Sequence, residues 1–169
     1  MSSGTSSGPG TLRQLRVMVG ALLAAPLLIV VAMWFVLGET LTDPTPWPFV
    51  IAVVAVGLVG DMVIRTLGYR TVVLPRGLSR ADAMARSRLS YQAALFRRMT
   101  IAELPMLIAL ALAFVTYGGF YLVMFGAAMT LNLLAVHVWP SERSVDRTVA
   151  SLELDGAHSH LREALGLPR

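Results

Sequence analysis

The sequence predicts an all-α, polytopic membrane protein with four transmembrane helices arranged as two hairpins. Three observations predict it. Hydrophobic residues make up 56% of the 169 residues and charged residues only 14%, against about 45–50% and about 25% in an ordinary soluble domain. Half the usual charge cannot cover a soluble surface, so a cytosolic globular enzyme is excluded, and the mean hydropathy of +0.68 agrees. Long uncharged stretches recur between short polar connections. The basic residues, 14 Arg and no Lys, fall only between particular stretches. The chain has no Cys, which excludes disulfides, thiolate nucleophiles and Cys-ligated metals together.

Residues 1–12 are rich in Ser and Gly and read as a disordered N-terminal tail. The membrane domain is expected over residues 13–140. Arg13 and Arg16 precede the first span, residues 17–37, whose 21 uncharged residues suffice to cross a bilayer core. It is too long for a signal-peptide core and lacks a following A-x-A site. Pro26 is expected to kink it. Residues 38–46 form a turn-rich loop carrying Glu39 and Asp43. The second span covers residues 47–64, and Trp34 and Trp47 suit an interfacial belt on one side.

Residues 65–98 hold eight Arg against one acid, Asp82. Ser79 to Asp82 has the S-x-x-D form of a helix start. From there Ala81, Met84, Ala85, Leu89 and Ala93 define an apolar face, an Arg-rich amphipathic helix suited to the inner leaflet. Arg80, Arg86, Arg88, Arg97 and Arg98 are the expected contacts to anionic lipid or to a partner protein, and a positive-inside loop without a specific lipid is the simpler alternative. The third span is expected over residues 99–117. Gly118 and Gly119 make a tight turn, and the fourth span, residues 120–138, ends at Trp139 and Pro140. In the tail, residues 141–169, Val145, Val149 and Leu152 recur at helical spacing before Gly156, and Leu161 and Leu165 repeat the pattern before Gly166. Such a tail packs on the membrane surface or on a partner.

Arg falls as two before the first span, eight between the second and third, and four after the fourth. The two connections expected outside contain none. By the positive-inside rule both termini and the central segment are cytoplasmic, and the chain belongs in a bacterial inner (plasma) membrane. The same rule accounts for the net charge of +4 without nucleic acid as a partner.

Charges within spans are costly, about 2.5–3.5 kcal/mol each on insertion scales, so each needs a reason. Asp61, Glu103, Asn132 and His137 are expected at similar depths, as one polar layer in the cytoplasmic third of the bundle. Such a layer is the candidate ion or proton site. Each residue also has a structural reading, which the sequence favours. Asp61 and Arg65 are spaced for an ion pair on one helix. Thr100 to Glu103 has the T-x-x-E form of a capping box, with Pro105 tolerated in a first turn. Asn132 can hydrogen-bond across the bundle, and His137 lies near the headgroups. His158 and His160 lack a third defined ligand, so no metal is expected, and no cofactor. Gly57, Gly60, Gly126 and Ala127 permit close helix packing.

Residues 96–115, FRRMTIAELPMLIALALAFV, resemble the second helix of the rotary ATP synthase proteolipid, subunit c. That family places an Arg-containing cytoplasmic loop before a helix with a carboxylate, often a nearby Pro, and a small and apolar run. The resemblance implies that Glu103 is the ion-binding carboxylate. The glycine ladder of the family's first helix is absent from residues 47–64, so the resemblance points to an accessory, proteolipid-like protein rather than a rotor subunit. The expected function is non-enzymatic: a scaffold, assembly factor or accessory subunit of a larger membrane complex. The expected partners are the bilayer, anionic lipids, other membrane subunits or further copies of the chain. The alternative is a proton- or ion-translocating oligomer using Asp61 and Glu103.

Overall fold

The structure, a computed structural model, describes the backbone of residues 10–167 and the side chains of residues 16–167. The described residues are helical, without a strand. Helix α1 is Gly10–Leu37, followed by a 3₁₀ turn, Gly38–Thr42. Helix α2 is Trp47–Val63 and runs into a π-helical turn, Ile64–Gly68. Helix α3 is Arg80–Ala113. Helix α4, Gly119–Leu133, likewise ends in a π-helical turn, Leu134–Val138. Helices α5, Glu142–Leu152, and α6, Leu161–Ala164, form the tail. Since α1 starts at Gly10, residues 10–12 belong to a helix, and the rest of the expected disordered tail lies outside the described residues.

Among the described residues, three helical stretches are long and apolar enough to cross a membrane: Arg16–Thr42, Trp47–Gly68 and Gly119–Val138. Their outward faces are apolar, with Leu28, Val31, Phe35, Leu58 and Val59 each more than half exposed. Such faces are stable only against lipid or another protein.

Helix α3 differs from the expected two-part segment. Residues 80–98 and the apolar run after them are one helix of 34 residues, about 51 Å at 1.5 Å per residue, which exceeds the ~30 Å hydrocarbon core. Ser79 starts it as expected, its hydroxyl accepting from the Asp82 N–H at 3.2 Å. The apolar end packs on α2 and α4 in a core of Val50, Val53, Met106, Ala109, Phe120 and Val123. Small residues set the spacing there. A Cβ on Gly126 would lie 2.4 Å from the Ala109 Cβ and 3.1 Å from the Pro105 carbonyl. Pro105 removes one helical donor, and the neighbouring Met106 N–H donates to the Thr130 hydroxyl of α4 at 3.2 Å.

The basic end of α3 buries a different face from the one its apolar residues define. Ala83, Ser87, Tyr91, Ala94 and Leu95 are buried, whereas Leu89 is 67% exposed, and Ala81, Ala85 and Ala93 are also exposed. The tail causes the difference. Val145, Leu152, Leu161 and Leu165 pack with Leu74, Tyr91 and Leu95 in a second core. The Ser87 hydroxyl donates to the Ser159 carbonyl at 2.8 Å, and Glu153 Oε1 accepts from the Ser159 N–H and hydroxyl, each at 2.7 Å. Both tail helices thus form where the spacing of Val145, Val149, Leu152, Leu161 and Leu165 places them, and they dock on α3.

The opposite end of the molecule is tied by the 38–46 loop. Gly118, with φ +61°, turns the chain into α4 in the left-handed region that Gly enters freely. Two side chains distant in sequence satisfy the N–H groups there: Asp43 Oδ2 accepts from Gly118 at 3.1 Å and the Thr40 hydroxyl from Phe120 at 3.1 Å. A carboxylate at a helix N-terminus also interacts favourably with the positive end of the helix dipole. Asp43→Ala is therefore expected to cost about 1 kcal/mol, the usual value for a lost N-cap. Thermal unfolding of the detergent-solubilised protein checks this, and an unchanged midpoint would contradict the capping role.

Candidate functional site

Two of the expected polar residues, Asp61 and His137, converge where α2 and α4 both end in π-helical turns, a backbone irregularity frequent at functional sites. In the second turn the Trp139 N–H reaches the Leu134 carbonyl, five residues back, at 3.0 Å. The turns bring His137 against Asp61. His137 Nε2 lies 2.7 Å from Asp61 Oδ1, and Arg65 Nε lies 2.7 Å from Asp61 Oδ2. On the other side of the ring, Tyr69 Oη lies 3.3 Å from His137 Nδ1. The arrangement that satisfies every group has Nε2–H donating to the carboxylate and the Tyr69 hydroxyl donating to Nδ1. Arg65, Asp61, His137 and Tyr69 thus form one hydrogen-bonded row across two helices. His137 is 2% exposed and Asp61 is half-buried, so the Asp61 charge is balanced locally by Arg65 rather than carried alone into the apolar region.

The largest fully buried side chain of the described residues is Arg98. Its Nε donates to the Ala94 carbonyl at 3.1 Å, and Nη1 donates to the His137 carbonyl at 3.0 Å and to the Ser144 hydroxyl at 2.8 Å. Its guanidinium carbon stands 4.4 Å from the Tyr69 ring centre and 5.9 Å from that of Tyr91. These are neutral partners: carbonyl oxygens, a hydroxyl and aromatic faces. The His137 carbonyl lies at the end of the α4 stretch, where the helix dipole favours a cation. A desolvated cation–π pair contributes about 2 kcal/mol. Gly68 makes room for this side chain, since a Cβ there would lie 2.9 Å from Arg98 Cγ. Burial pushes the Tyr91 hydroxyl above the usual phenol range, against the opposing pull of Arg98. Arg98 thus joins α3, the end of α4 and the start of α5.

That position corrects one expectation. Arg98 is not available to lipid, because it follows Tyr91, Ala94 and Leu95 on the face of α3 that the tail covers. The other four arginines of the set differ among themselves. Arg80 pairs with Glu163, and Arg97 donates to the carbonyls of Gly68 and Arg70. Arg86 is exposed and Arg88 half-buried, with no ion pair to either among the described residues.

The expected four-residue polar layer forms only in part. Asp61 and His137 meet. Asn132 is exposed on the outside of α4. Glu103 is half-buried and has no hydrogen bond or ion pair among the described residues. Nor is Glu103 part of a capping box. Thr100 lies inside α3, twenty residues after its start, and its hydroxyl donates to the Phe96 carbonyl at 3.1 Å. A capping box needs a free helix N-terminus, and the helix already runs through this point. His158 and His160 have ring centres 6.3 Å apart, and no group of three metal-ligating side chains occurs among the described residues.

No family model, curated protein or solved structure matches the chain. The fold and its apolar faces define the class: a protein whose described residues are all-helical, with three helices among them long and apolar enough to cross a membrane.

Proposed function

We propose that this chain is a non-enzymatic integral membrane protein, a scaffold, assembly factor or accessory subunit of a larger complex in a bacterial inner membrane. In this reading the apolar half of α3 is a fourth crossing, the four spans form two hairpins, and both termini and the basic segment are cytoplasmic. One observation carries the reading. The polar row in the spans is internally satisfied, with both Asp61 oxygens bonded, while wide apolar faces of α1 and α2 remain open to lipid or to another subunit. Buried polar groups that are fully paired serve to fix helix positions. The exposed Arg86 and its neighbour Arg88 supply a basic face toward anionic headgroups.

A second reading rests on Glu103. A carboxylate with no bonding partner among the described residues suits ion or proton translocation better than a structural role, and Asp61 would be its companion. Reconstitution into liposomes with a proton-sensitive dye tests both readings. The scaffold reading expects no flux above that of protein-free liposomes, and no selective reaction of Glu103 with a hydrophobic carbodiimide at neutral pH. Flux that Glu103→Gln abolishes in a normally folded protein would establish translocation instead.

A further inference from the structure

A cavity of about 150 Å³ opens beside the polar row, between the end of the α2 stretch, the end of the α4 stretch and the first turns of α5. Its volume is several times the ~30 Å³ share of one water. Three arginines line it, Arg65, Arg143 and Arg147, and no acid does. Arg65 is committed to Asp61. Arg143 is exposed and has no acidic partner among the described residues. Arg147 stands over the Tyr69 ring, 5.1 Å from its centre, a contact that leaves its N–H edges available. Ser141 and Ser144 line the same cavity, and their hydroxyl oxygens accept, from the Ser144 N–H at 3.3 Å and from Arg98 Nη1 at 2.8 Å. The Ser141 hydroxyl proton is not given to any acceptor among the described residues. Directly behind this wall lies Arg98, a buried cation without an ion-pair partner, whose Nη2 has no hydrogen-bond partner. The cavity is thus a concave surface with several donors, two cations not neutralised by acids and a third cation behind it.

We infer that this cavity binds a phosphate group, that of an anionic lipid headgroup. Guanidinium groups and hydroxyl donors match phosphate oxygens. The place suits a lipid. Val136 lines the cavity and is 57% exposed, and Trp139, a residue type enriched at membrane interfaces, is 40% exposed just beyond. A headgroup held by Arg143 and Arg147 would leave its acyl chains against the apolar flank of α4. The site is separate from the basic face of α3 that carries Arg86 and Arg88, and it brings the tail into contact with the membrane surface.

The test uses the full chain, purified in a phosphate-free detergent, titrated with phosphatidylglycerol, with phosphatidylcholine and with inorganic phosphate at 0.15 M salt. The variants are Arg143→Gln/Arg147→Gln and, as a control of equal charge change, Arg86→Gln/Arg88→Gln. Phosphatidylglycerol is expected to bind saturably. The first variant should weaken it roughly tenfold or more, the scale of two basic contacts to an anionic lipid, and the control should change it less than about twofold. Competition by millimolar inorganic phosphate, lost in the first variant alone, would support the phosphate site, whereas binding of inorganic phosphate without saturable binding of phosphatidylglycerol would make free phosphate the ligand and overturn the lipid assignment. Equal weakening in both variants, unchanged binding in the first, or no binding of either anion would overturn the proposal. Arg86, Arg143 and Arg147 are exposed and Arg88 is half-buried, so both variants should keep the far-ultraviolet spectrum of the parent, and loss of the Arg147 contact with Tyr69 should lower the unfolding midpoint only slightly.

Discussion

Arg98→Ala is expected to detach the tail from the membrane domain and to lower stability by about 3 kcal/mol. The His137 carbonyl and the Ser144 hydroxyl would each lose a charged donor at 3.0 Å and 2.8 Å, and such bonds contribute about 1.5–3 kcal/mol each. The largest fully buried side chain of the described residues would also leave a void between Tyr69, Tyr91 and Leu95, with a further cavity cost. One effect opposes these. Removing a buried cation relieves its desolvation, so the net loss falls below the sum of the parts. Arg98→Met separates the contributions, because it keeps most of the volume and removes the charge and the donors. It should destabilise less than Ala if volume dominates, and equally if the hydrogen bonds dominate. Limited proteolysis around residues 141–160, together with thermal unfolding, reads both. A tail as protected in Arg98→Ala as in the parent would show that Arg98 does not hold it.

Gly126→Leu is expected to be as damaging, by about 3 kcal/mol or more. The obstacles to a Cβ at this position are the Ala109 Cβ at 2.4 Å, the Pro105 carbonyl at 3.1 Å and the Met106 Cα at 3.3 Å. Two of the three are backbone, so the helices must move apart rather than a side chain rotate away. Gly20→Leu in α1 is the control, since nothing lies within 4 Å of a Cβ there, and it should be nearly neutral. Because Ala109 supplies the nearest atom, Ala109→Gly should recover part of the loss caused by Gly126→Ala. A double-mutant cycle over these two positions is then non-additive. Strict additivity would place the strain elsewhere.

The apolar stretches are legible because the length and hydropathy of each are local properties that sequence records. The helix start at Ser79, the Asp61–Arg65 pair and the spacing of Val145, Val149 and Leu152 were legible for the same reason: partners lie within a turn or two. The site itself was less so. His137 and Asp61 are 76 residues apart, and depth matching along two helices suggests their meeting but cannot tell which faces they occupy. Asn132, five residues before His137, has the right depth and the wrong face. The sequence assigns Arg98 to anionic lipid or a partner, because an Arg beside a second Arg at the end of an apolar stretch is the ordinary topology signal. Its neutral acceptors, the His137 carbonyl and the Ser144 hydroxyl, carry no charge pattern that sequence could reveal. The T-x-x-E spacing at Thr100 misled because a capping box is informative only where a helix begins. The stronger start lies twenty-one residues earlier, at Ser79.

We propose a membrane domain of two hairpins whose tail and basic segment share the cytoplasmic side. A chain without cysteine permits its most direct measurement: single Cys residues introduced at exposed positions and tested in intact cells with a membrane-impermeant maleimide. Thr42→Cys and Tyr117→Cys should label from outside, while Leu89→Cys and Leu154→Cys should label only after the membrane is opened. Labelling of Leu89→Cys in intact cells, or of Thr42→Cys and Tyr117→Cys from opposite sides, would contradict the two-hairpin account.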